Sequence, residues 1–224
     1  DEKDPIESRQ FYNMEWMPYE GVFIGFIAVF HIAADRLDVQ LAFSRDNRNW
    51  VRAGNRDVFV PNGPTPGDYD YGMVWNILQH PIVAGDEMLI YYNGASGSHG
   101  AWGDKGTPPA VQGGVIALAK LRLDGFVSVN ASSGGGALTT KKMTMEGDRL
   151  VVNADASDGA VKVELLDLDG NVIDGFSQAD CDVINSDRVR HTVTWSGSDD
   201  VGRLKGKVIQ LKFHLTNSQL YSFV

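Results

Sequence analysis

The sequence predicts an all-β protein in two parts, and three observations carry that prediction. Helical periodicity of apolar residues is almost absent, runs with strand character recur about every 8–12 residues, and the composition changes sharply near residue 132. All 8 prolines, 4 of the 5 tryptophans and 6 of the 7 tyrosines lie before that point. The junction, Ser132-Ser133-Gly134-Gly135-Gly136, has the composition of a linker or loop tip. The expected domains are 1–131 and 132–224.

In the first part, strands are expected over 22–30, 38–44, 71–78, 87–93, 114–122 and 126–129. The run over 22–30 is apolar on both faces, so it needs cover from both sides. The stretch 96–112, with Pro108-Pro109 inside it, is the longest loop expected, and loops of that length are commonly functional. In the second part, 149–154, 161–167, 190–195, 208–215 and 220–224 alternate apolar and polar residues, with turn signals at Asp169-Gly170 and Asn217-Ser218. This pattern predicts an antiparallel β-sandwich of about 90 residues. Its inward rows are Val161, Val163 and Leu165, then Val189 and Val193, then Ile209, Leu211 and Phe213.

Composition excludes several functions. With 20 Lys+Arg against 29 Asp+Glu the net charge is −9, which argues against nucleic-acid binding, since phosphate contacts need clustered cations. No apolar run approaches the roughly 20 residues of a membrane span. The single Cys181 permits no internal disulfide. No His-Glu-x-x-His zinc motif or phosphate-binding loop occurs. Asp167-Leu168-Asp169-Gly170 reads as a hairpin turn rather than a calcium loop, and His80, ahead of Pro81, reads as a turn residue.

A repeat runs through the first part. Tyr12-Asn13-Met14-Glu15-Trp16 returns as Tyr71-Gly72-Met73-Val74-Trp75, 59 residues later. Each copy precedes a long apolar strand, a strand containing Leu-Ala (Leu41-Ala42, Leu118-Ala119), and a polar turn closed by an aromatic, Trp50 or Phe126. A four-strand unit repeated at about 40–60 residues predicts β-propeller blades, whose first strands line a central channel. The two Tyr-x-Met-x-Trp segments are then expected side by side at the axis.

Several segments resemble the five-bladed propeller glycoside hydrolases of families 32 and 43. They are Asp38-Val39-Gln40-Leu41-Ala42-Phe43-Ser44-Arg45-Asp46 with Trp50, Gly67-Asp68-Tyr69-Asp70-Tyr71-Gly72-Met73-Val74, 86–94, and Ile116-Ala117-Leu118-Ala119 with 122–128. The resemblance implies the last blades of a propeller followed by the family's C-terminal β-sandwich. It also implies N-terminal blades supplied in the same or a companion chain, because two blades cannot close a propeller. The family's Asn-Asp-Pro, Arg-Asp-Pro and Glu-Cys-Pro motifs do not occur in this sequence. The implied activity is hydrolysis of a glycan outside the cytoplasm, extracellular or periplasmic, with no cofactor and no metal. The alternative is a non-catalytic carbohydrate-binding protein on the same scaffold.

Glycoside hydrolysis needs two carboxyl groups flanking the scissile bond, one an acid that gives a proton and the other a nucleophile or base. Glu15, beside Trp16, and Asp70, among Tyr71 and Trp75, are the expected catalytic carboxylates. The plainer alternatives are a rim glutamate and a turn-capping aspartate. Trp16, Tyr71, Trp75, His31, His99 and Trp102 are the expected substrate-binding residues, since rings cover sugar faces and imidazoles bond hydroxyls. His31 and His99 each follow a long apolar strand, and Trp102 lies in the long loop.

Overall fold

The structure, a computed structural model, describes residues 3–78, 80–101 and 113–224. Strands dominate these residues, their one helix is the 3-10 turn Gly202–Leu204, and no helix is long and apolar enough to cross a membrane. The described strands form three sheets, none closed on itself, so the all-β expectation holds. The chain divides into two units, Asp1–Leu121 and Arg122–Val224.

The first unit is built from two antiparallel groups. One consists of β1 (Arg9–Tyr19), β2 (Val22–His31) and β3 (Arg36–Ser44), with the short β4 (Trp50–Arg52) and β5 (Val58–Val60) both paired to β3. The other consists of β6 (Met73–Ile77), β7 (Ile82–Ala84), β8 (Glu87–Ala95) and β9 (Gly114–Arg122), with β6, β7 and β9 all paired to β8. One parallel bridge, Leu37↔Met73, joins the groups. β6 starts beside β3 and then contacts β2 and β1. Ala28, Phe30, Leu37, Met73 and Ala95 form a core shared by the two groups, with Trp75 packed against it. This arrangement explains why the 22–30 run is apolar throughout: Val29 and Ala28, on opposite faces, are both fully buried.

β1 departs from simple alternation for an identifiable reason. Its register jumps from Phe11↔Val29 to Asn13↔Ala28, leaving Tyr12 as an extra, bulged residue. Bulges re-aim side chains on edge strands, and β1 ends the strand path, which also lets the strand tolerate Pro18. The bulge turns consecutive residues the same way: Tyr12 packs on Phe30, and Asn13 bonds Asn76 of β6.

The second unit holds two antiparallel sheets. One is ordered β10 (Val129–Ala131), β17 (Ser218–Phe223), β13 (Val151–Asp155), β15 (Asp187–Thr192). In the other, β16 (Val208–Thr216) pairs with β11 (Gly136–Thr139), β12 (Met143–Thr144) and β14 (Ala160–Leu166). Both sheets feed one core containing Val152, Val161, Val163, Leu165, Leu211, Phe213 and Leu220. The expected inward rows are found there, except that Val189 is only half-buried and His191 is the buried residue beside it. The Ser-Gly run at 132–136 is a tight turn inside this unit, where Gly135 has φ 70 and donates to Ser132 O at 3.0 Å. The expected strand over 126–129 gives way to a turn, with Asp124 at φ 58 and its carboxylate accepting from the Ser222 hydroxyl at 2.6 Å; the strand begins at Val129.

Candidate functional site

One group of polar residues in the first unit lies along the seam between β1 and β6. Glu15 pairs across β1–β2 with Phe26, placing it on the β6 side of the sheet. There Glu15, Trp16, Phe26, Ile77, Leu78 and His80 line a cavity of about 210 Å³. Phe26 and Ile77 are buried and make an apolar floor, while Trp16 stays 44% exposed at the rim. A carboxylate, an indole and an imidazole over an apolar floor can hold a ligand with hydroxyls on its edge and C–H groups on its face.

Next along the seam, Asn13 donates from Nδ2 to Glu15 Oε1 at 3.1 Å and also to Asn76 Oδ1. Asn13 Oδ1 is buried and has no hydrogen-bond partner among the described residues. Beyond it, the Tyr12 hydroxyl and His99 Nε2 are hydrogen-bonded at 2.7 Å. Phe30 packs against both rings, with centroids 5.5 Å from Tyr12 and 4.7 Å from His99. Asp35, in the β2–β3 hairpin, lies 4.0 Å from His99 Nδ1 through its Oδ1. Its other oxygen accepts from Gly100 N at 2.8 Å, and its carbonyl accepts from His99 N at 3.0 Å. Asp35 holds φ 53, a left-handed conformation unusual outside glycine but tolerated by Asp and Asn.

Asp70 is placed differently from Glu15. It is 6% exposed, accepts from the Tyr92 hydroxyl at 2.7 Å, and is crowded by Gly63 and Gly94, where any Cβ would come within 2.7 Å of it. Burial, then the bond to Asp70 and to Tyr69, pushes the Tyr92 phenol well above its usual range. Asp70 does not line the cavity of Glu15, so the two expected catalytic carboxylates are not brought together there.

His31 lies on the opposite face of β2 from Phe30. Its Nε2–H donates to Asp38 Oδ2 at 2.7 Å, and Gln40 Nε2 donates to Asp38 Oδ1 at 3.1 Å. Gln40 accepts in turn from Arg52, which bonds Asp4 at 3.1 Å; Asp4 also holds Arg9 and Arg56. His31 thus ends a largely buried polar chain facing away from the seam. Tyr71 carries the Arg36 guanidinium 3.6 Å above its ring. Trp75 packs half-buried on the core. Trp102 lies outside the described residues. Among the described residues no three potential metal-ligating side chains cluster.

Of the expected residues, the seam unites Glu15, Trp16 and His99. It adds Tyr12 and Asn13, seen in the sequence only as members of the repeat, His80, read there as a turn residue, and Asp35 and Asn76, for which the sequence carries no signal. Comparison with protein-family profiles gives no matching family, and comparison with curated proteins gives no match.

Proposed function

We propose that this chain is the C-terminal portion of a five-bladed propeller protein acting on glycans, with blades in its first unit and a β-sandwich in its second, and that the β1–β6 seam is its carbohydrate-binding surface. The observation carrying this reading is the cavity in which Glu15 stands beside Trp16 over Phe26 and Ile77. Sugars present just that duality, hydroxyls at the edge and an apolar face for a ring.

The blade assignment is supported by the two antiparallel strand groups meeting at one parallel bridge and by the residue-level resemblance to families 32 and 43. On the sheet face opposite the seam, Phe11 is 54% exposed, an apolar contact for a further blade from the same or a companion chain. The same reading carries the resemblance's implication of a place outside the cytoplasm, extracellular or periplasmic.

Binding is favoured over hydrolysis through Glu15 and Asp70, because Asp70 is buried against Tyr92 rather than open to the cavity of Glu15. Calorimetric titration with a panel of plant, algal and host oligosaccharides tests the reading. At least one glycan is expected to bind, with affinity falling about tenfold or more, roughly 1.4 kcal/mol, in Trp16→Ala and in Glu15→Gln. Equal affinity in wild type and both variants refutes the seam as the binding surface.

A further inference from the structure

Tyr12, His99 and Asp35 come from three separate segments, the bulged edge strand, the loop after β8 and the β2–β3 hairpin, and they meet at one end of the seam. Their order is that of a reactive oxygen, a base within hydrogen-bond reach and an acid that orients the base. Asp35 Oδ1, 4.0 Å from His99 Nδ1, is beyond hydrogen-bond reach, but its charge on that side favours the tautomer protonated at Nδ1, in which Nε2 accepts from the Tyr12 hydroxyl. The half-exposed Tyr12, at 48%, stays open to a ligand, while Phe30 holds the imidazole from beneath.

From this geometry we infer that Tyr12–His99–Asp35 is a proton relay and that it, not Asp70, is the partner of Glu15 in hydrolysing a bound glycoside. The inference rests on the carbohydrate-binding reading of the seam. Tyr12 and Glu15 are three residues apart on β1, a backbone separation of about 7–10 Å because the strand is bulged at Tyr12, with Asn13 between them bonded to Glu15. That is close to the spacing of roughly 6.5–9.5 Å that leaves room for a water between the acid and base of inverting glycosidases.

The step balances as follows. Glu15, in its acid form, gives its proton to the glycosidic oxygen as the bond from that oxygen to the anomeric carbon breaks. Water between Tyr12 and the sugar attacks the anomeric carbon from the opposite side and loses a proton to Tyr12 Oη. Tyr12 passes its own proton to His99 Nε2, and Asp35 stabilises the resulting imidazolium. Exchange of one proton from His99 back to Glu15 through solvent restores the starting state. The products are a hemiacetal of inverted configuration and the leaving alcohol.

Tyr12→Phe removes one oxygen and keeps the ring packed on Phe30 and His99, and His99→Asn is the second variant should the first alter folding. Both are compared with wild type on every glycan the chain binds, by reducing-sugar release, by proton NMR of the first anomer formed, and by calorimetric affinity. Expected are turnover with inversion in wild type and a fall in kcat of about 100-fold or more in both variants, larger than any fall in affinity. Asp35→Asn is expected to lower kcat with KM little changed. No turnover of any bound glycan, retention of configuration, or Tyr12→Phe and His99→Asn within about threefold of wild type each overturn the relay and leave the binding reading standing. If no glycan binds, the binding reading falls and the relay falls with it.

Discussion

Gly72 is where one methyl group tests how the site is assembled. A Cβ there would lie 2.0 Å from the carbonyl oxygen and 2.2 Å from the carbonyl carbon of Gly97, where ordinary contact begins at 3.4 Å. Both are backbone atoms, so no side chain can rotate away, and relief requires the 97–99 segment or the start of β6 to move by about 1.4 Å. Gly72 is itself tied on both sides, donating to Ala95 O at 2.9 Å and accepting from Leu37 N at 3.4 Å. Overpacking of this kind costs about 1–3 kcal/mol. The same displacement carries His99, two residues on, out of reach of the Tyr12 hydroxyl, now 2.7 Å from its ring nitrogen. Gly72→Ala is therefore expected to lower the urea midpoint of the first unit without changing the slope, and to move the His99 imidazole resonances. Gly136→Ala is the control, because no atom lies within 4 Å of its Cβ position. It should be neutral, or stabilise by about 0.4–1 kcal/mol through the unfolded chain. A Gly72→Ala protein with unchanged midpoint and unchanged His99 signals refutes the tight seating of the 97–99 loop.

Acid should weaken the second unit through identifiable carboxylates. The Thr194 hydroxyl and then Gly197 N–H hold Asp182 below its ordinary 3.8, and the Ser177 hydroxyl and N–H do the same for Asp180. Groups depressed on folding contribute stability that is full above the unfolded value and lost as pH falls through the folded one. The urea midpoint should thus drop as pH falls below about 3.8, less steeply in Asp182→Asn; an identical profile in that variant counts against the assignment. Cys181 is buried, its sulfur accepts from Val163 N at 3.2 Å, and burial pushes its thiol up. A disulfide reagent should therefore label it only after denaturant is added, and rapid labelling of the native protein contradicts this packing.

How much of this was legible in the sequence follows from what each element depends on. The doubly apolar 22–30 run and the alternating 161–167 and 208–215 runs announce β2, β14 and β16 because burial on one or both faces writes itself into successive residues. β1 was legible only as the Tyr-x-Met-x-Trp repeat. Its alternation is broken by the bulge at Tyr12, and its edge position leaves apolar and polar residues equally tolerated. β4, β5 and β7, with 3 residues each, are too short to show a period. The Ser-Gly run at 132–136 looked like a linker because tight turns and flexible connections draw on the same residues.

Local patterning decides that this chain is all-β, acidic, and split in aromatic and proline content, because strand periodicity and composition are properties of neighbours along the backbone. Which carboxylate meets which partner is a property of distant segments. Tyr12 and His99 are 87 residues apart yet share a hydrogen bond. Asp70, three residues before the repeated Met, looks as available as Glu15 in the sequence, yet Tyr92 donates to it. Only the packing of β6 across the face of β2 onto β1 sets Glu15, Asn13 and Tyr12 in one row and turns His31 away from it. A hydrogen bond depends on distance in space, and sequence separation does not encode that distance.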